Sequence, residues 1–139
     1  MKSRAEKLGR MFQLMKLQLR LSEWHLGRLR QREQDLQDEE IYLVGALNDM
    51  RLPTGSSSES ISRRLTTTGL GAREIRAEAS SQLDQVQAES RRVKQLERIA
   101  KAAVADKLRD AERRSLEEMT VVHLSAGHGA FATNKLEPK

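Results

Sequence analysis

The sequence predicts an all-α fold: two long helices forming an antiparallel coiled-coil hairpin, with a flexible connector and a frayed C-terminal tail. Three observations predict it. With 37% of its 139 residues hydrophobic and 3% aromatic, the chain carries too little apolar bulk to fill a globular core of its length, whereas 32% charged residues and two prolines suit long solvated helices. Its apolar residues recur with a heptad period through two separate stretches. The stretches are similar in length and flank a segment rich in glycine, serine and threonine, as a hairpin demands.

Helix 1 is expected over about 3–51. With Leu8 taken as a d position, the d series is Leu8, Met15, Ser22, Leu29, Leu36, Leu43, Met50, and the a series is Phe12, Leu19, Leu26, Glu33, Glu40, Leu47; ten of these thirteen are apolar. A seam of that length needs a partner helix along it, because it cannot be left in water. Ser3 followed by Glu6 matches a capping box at the start, and Leu52-Pro53-Thr54-Gly55 supplies the stop.

Residues 54–71, TGSSSESISRRLTTTGLG, favour loops and caps over helix interiors, so 52–71 is read as the connector, with room for a short helical turn around Ile61 and Leu65. Helix 2 is expected over about 72–122. Its seam runs Ile75, Ala79, Val86, Val93, Leu96, Ala100, Val104, Leu108, Ala111, Met119, Val122, with polar intrusions at Gln82, Glu89 and Ser115. From Leu96 to Leu108 the spacing becomes four, four, four, a stutter that relaxes the supercoil. In the implied register 33–50 lies against 72–90, and 3–32 against 91–122. The Gly- and Ala-containing segment 123–139 is expected to fray.

Charge is polarised along the chain. Residues 1–32 carry nine Lys or Arg against Glu6 and Glu23, while 33–49 carry six acidic residues and no basic one; 73–90 hold two basic and four acidic residues, and 91–114 nine basic and four acidic. Antiparallel pairing in the implied register makes the connector end negative and the opposite end basic, with Arg91, Arg92, Lys94, Arg98 and Lys101 as the candidate basic docking end for an acidic partner. Glu33 and Glu40, in the seam, are read as register-setting or rim-reaching carboxylates.

No catalytic, cofactor or metal site is expected. Phosphate-binding, dinucleotide and nucleophile-elbow motifs are absent from the sequence, cysteine is absent, and the spacing of His25, His123 and His128 fits no zinc pattern. Trp24 falls at an f position with Arg20 and Arg28 one turn to either side, making this trio the candidate partner contact, with Tyr42 at a c position second and Phe131 third. A lone tryptophan does not supply the interleaved aromatics of a nucleic-acid surface. No run is long and apolar enough to span a membrane, and the start, Met1-Lys2-Ser3-Arg4, leads into a charged periodic segment, so a cytoplasmic location is expected.

The opening KLGRMFQLMKLQLRLSEWHLGRLRQREQDL, followed by a second Arg/Gln/Glu-rich helix closing with KLRDAERRSLEEM, resembles the FliJ family of flagellar export proteins and its YscO-like type III secretion relatives over roughly residues 5–120. The resemblance implies a cytoplasmic hairpin similar to the central stalk of rotary ATPases. Such a protein contacts an export ATPase and a membrane-embedded export gate, and would sit peripherally at the inner membrane. The Ser-rich connector has no counterpart in the family pattern. The alternatives are a self-associating coiled-coil scaffold, with homodimers pairing through the same seams, and, least favoured, a basic helical binder of nucleic acid or anionic surfaces.

Overall fold

A computed structural model describes residues 3–135 of the chain, with side chains over 3–127. Among the described residues it is all-helical: α1, Arg4–Asn48, and α2, Ser58–Lys135, pack against each other as an antiparallel hairpin. Ser3 caps α1 as its spacing to Glu6 requires. Its Oγ accepts from the Glu6 N–H at 3.3 Å, and its carbonyl accepts the first helical bond from Lys7 at 3.1 Å. The last turn closes with the Asp49 N–H on the Gly45 carbonyl, and Met50 leaves the helix in the left-handed region at φ 55°.

The connector is shorter than expected, 49–57 rather than 52–71. The Ser56 N–H reaches the Pro53 carbonyl at 3.0 Å across a turn whose third residue, Gly55, has φ 83°, a conformation that favours glycine. Ser57 then caps α2, its Oγ accepting from the Ser60 N–H at 3.1 Å. Helix persists through TTTGLG for reasons outside local propensity. Thr66 and Thr67 turn their hydroxyls onto the Ser62 and Arg63 carbonyls, each at 3.1 Å, and so stop competing with the helix for backbone partners. Ile61, Thr68 and Ala72 are buried, which places this segment in the seam. At the far end α2 runs past the expected limit of 122 to Lys135; residues 136–139 of the expected tail lie outside those described.

The chain forms two compact units, Phe12–Gln95 and Met1–Met11 with Leu96–Lys139. In the first, Glu39 pairs with Arg64 at 2.7 Å, Glu33 with Arg76 at 3.0 Å, and the Ser22 carbonyl accepts from Gln82 Nε2 at 3.1 Å. Rising numbers on one helix against falling numbers on the other fix the antiparallel sense. They also correct the register: 33–39 lies against 64–76, and 22 against 82, because α2 starts fourteen residues before the expected 72. The apolar centre is Leu26, Leu29 and Ala79, with Ile75, Leu83 and Val86 packed on it. Burial of each leucine contributes on the order of 2 kcal/mol.

Of the three polar steps in the α1 seam, one side chain, Glu33, finds an ion-pair partner under this register. Ser22 is buried, and its backbone carbonyl accepts from Gln82 Nε2 across the hairpin. Glu33 reaches Arg76, and Glu40 lies over Gly69, its Oε1 3.0 Å from where a Cβ would stand. Twelve of the thirteen α1 seam positions are buried or half-buried; the exception is Met50, beyond the helix end.

In the second unit, Leu96 and Ala100 are buried, and Lys107 Nζ approaches Ser3 Oγ at 3.5 Å and Glu6 Oε1 at 3.8 Å. From Asp106 to Gly127 every described side chain of α2 is exposed.

Candidate functional site

The heptad that buries one face of α1 leaves another line of apolar residues on its outside. Leu14, Leu17, Leu21 and Trp24 recur at spacings of three, four and three, which places them on one stripe about three turns long within Phe12–Gln95. They are 66, 59, 65 and 60% exposed, so four consecutive large apolar side chains stand in water with no partner from α2. Isolated exposed leucines are ordinary on protein surfaces, but a contiguous apolar line on one helix is the form in which helical surfaces bind other helices or grooves.

Arg28 ends the stripe. Its Cζ lies 5.3 Å from the centroid of the Trp24 ring, a cation–π contact that leaves the indole 60% exposed. Arg20 is exposed beside the stripe, but among the described residues the cation over the indole is Arg28. Tyr42 is 61% exposed and stands with Ile41 at 72%, four to five turns further along α1, apart from the stripe. Phe131 and His128 lie outside the residues whose side chains are described.

The basic candidates divide between the two units. Arg91, Arg92 and Lys94 are exposed within Phe12–Gln95; Arg98 and Lys101 are exposed within the other unit, where Lys101 Nζ is 3.0 Å from Glu97 Oε1. The acidic connector end expected from charge counting is partly offset by two ion pairs across the hairpin. Starting α2 at Ser58 brings Arg64 and Arg76 onto Glu39 and Glu33, whereas the expected register set those carboxylates against further acids. Each of these exposed pairs contributes only about 0.2–1 kcal/mol, and residues 33–76 still hold eight acidic and five basic side chains, so the connector end stays net negative.

Sequence reasoning found Trp24 and missed Leu14, Leu17 and Leu21, because they occupy c and f positions of a frame chosen to maximise the inner seam. Applying the three-four spacing a second time, to the apolar residues left over, would have found them. Among the described residues no group of His, Asp and Glu could hold a metal ion, and no helix is long and apolar enough to cross a membrane. No protein-family model, curated protein or solved structure matches the chain.

Proposed function

We propose that this protein is a non-catalytic stalk or adaptor of a flagellar or related type III export apparatus, similar to the FliJ family, which engages protein partners through the outside of its hairpin. The observation that carries the reading is the exposed Leu14-Leu17-Leu21-Trp24 stripe, closed by Arg28, on the helix that also bears the family-like opening. The helical hairpin expected from that resemblance supports it, as does the excess of Lys and Arg that gives the chain a formal charge of +5 and suits an acidic partner such as an ATPase ring lumen. Export ATPase and export gate are the proposed partners, and the cytoplasmic face of the inner membrane is the proposed location.

The stripe would contribute the affinity and the surrounding arginines the encounter rate, because desolvated aromatic and leucine side chains dominate binding energy while rim charges steer approach. The test is a pull-down from native cell extract with the full chain as bait, beside a Leu17→Asp, Trp24→Ala double variant. Recovery of an export ATPase or gate component by the parent and its loss with the variant is the expected result. Equal recovery by both would remove the stripe from the interface, and recovery of no export component would remove the export assignment.

A further inference from the structure

The second line of unpartnered apolar residues is on α2, in the unit that includes Leu96–Lys139. Leu96 and Ala100 are each 8% exposed there, yet Val104 is 48% and Leu108 59% exposed. From Asp106 on every described side chain of α2 is exposed, and just before that point the apolar line itself turns. A step of four residues turns 400° at about 100° per residue, so each of the three steps from Leu96 to Leu108 advances the apolar line by about 40°, roughly 120° in all, away from the face that holds Leu96. Beyond it the line runs straight through Ala111, Ser115, Met119 and Val122 at spacings of three, four, four and three. Met119 and Val122 are 65 and 67% exposed.

We infer that this segment, 104–126, is a self-complementary dimerisation surface that takes the same segment of a second copy, antiparallel, with Ser115 at the two-fold axis. The order of side chains carries the argument. Antiparallel pairing about Ser115 sets Ala111 against Met119 of the second copy, Leu108 against its Val122, and Val104 against its Ala126, so each larger side chain meets a smaller or matching one. Parallel pairing would set Met119 on Met119 and Ala111 on Ala111, crowding one layer and leaving a gap in the other. At about 1.5 Å per residue the surface is roughly 33 Å long, enough for a short two-stranded coil.

Charge agrees with the antiparallel sense. Arg113 is 3.6 Å from Asp110 and 3.9 Å from Glu117 within its own helix, while among the described residues Arg114 and Glu118 form no ion pair. Both lie on one flank of the stripe, and pairing about Ser115 brings Arg114 to within about two residues, roughly 3 Å along the axis, of Glu118 of the second copy, once from each chain. This dimer does not depend on the export reading, since it uses neither the α1 stripe nor any export component.

Because the chain contains no cysteine, single cysteines report the geometry directly. Under mild oxidation of the full chain, Ser115→Cys should form a disulfide-linked dimer, Leu108→Cys alone should not, and Leu108→Cys mixed with Val122→Cys should link. By sedimentation, the parent should approach twice its 15.8 kDa at tens of micromolar. Leu108→Asp, which alters an exposed position and should leave helicity intact, should raise Kd at least about tenfold. Arg114→Glu and Glu118→Arg should each weaken self-association, and an equimolar mixture of the two should restore it as a heterodimer; an effect confined to each chain's own helix would not respond to mixing. A monomer at every concentration, or Leu108→Cys linking to itself as readily as Ser115→Cys, would overturn the proposal.

Discussion

Glu89 lies in the α2 seam between Val86 and Val93 and is 7% exposed. Gln85 Nε2 donates to its Oε1 at 3.1 Å, but Oε2 is buried without any hydrogen-bond partner. Such an acceptor costs about 1–3 kcal/mol relative to a satisfied one, and a leucine in its place would add burial of about 1.5–3 kcal/mol. Against these gains stand loss of the one-turn Gln85 contact, about 0.2–0.5 kcal/mol, and an imperfect fit of a branched side chain, which together bring the expected net stabilisation of Glu89→Leu to about 2 kcal/mol. For a chain of this size that corresponds to a rise in Tm of roughly 4–8 °C. Circular dichroism melts at one fixed low concentration would read it, so that self-association does not contribute. Glu33→Leu is the contrast. That carboxylate is 22% exposed and pairs with Arg76 at 3.0 Å, so its replacement should gain much less. An unchanged or lowered Tm for Glu89→Leu would refute the reasoning, since it would mean that the carboxylate is satisfied where it lies or that position 89 is not a seam position.

Leu29→Asp puts a charge against Leu26, Ala79, Ile75 and Val86 and should cost at least about 3 kcal/mol, read as loss of cooperative melting; retained stability would sink the seam. Met50→Gly relieves a non-glycine residue at φ 55° whose side chain is 82% exposed, and should stabilise by about 0.5–1 kcal/mol in urea titration. Trp24→Ala removes an exposed indole and should shift Tm by less than about 2 °C. A large loss of stability instead would make the indole structural.

The inner seam of α1 was legible because strict periodicity over six heptads admits one face, and packing then had little left to decide. The start of α2 was not. Thr66, Thr67, Gly69 and Gly71 are poor helix formers in isolation, and contacts both within the helix and across the hairpin hold them helical, the latter lying in no local window. Two threonine hydroxyls fold back onto the helix's own carbonyls, Gly69 makes room for the Glu40 carboxylate, and a Cβ at Gly71 would stand 3.8 Å from Leu36 Cδ1. The register error followed from that one boundary. Once 58–71 counts as helix, the acidic stretch of α1 meets Arg64 and Arg76, and the negative field that charge counting gave the connector end is reduced by two ion pairs.

The hairpin uses the α1 inner seam and the α2 seam packed on it, which leaves two apolar lines, one more than a single docking event uses. The α1 inner seam is consumed by α2, so the α1 outer stripe and the distal α2 stripe stand open. Their chemistry differs in a way that assigns them different occupants. The outer stripe consists of three leucines and a tryptophan braced by Arg28, with large side chains at every position and none small enough to receive a copy of itself. It fits a partner that supplies the small residues or the groove. The distal stripe interleaves Leu108 and Met119 with Ala111 and Ser115 and carries its own counter-charges in Arg114 and Glu118, so it contains both halves of an interface. Substitutions in one should therefore leave the other's binding unchanged, and coupling between Trp24→Ala and Leu108→Asp in either assay would mean that the two stripes serve one partner.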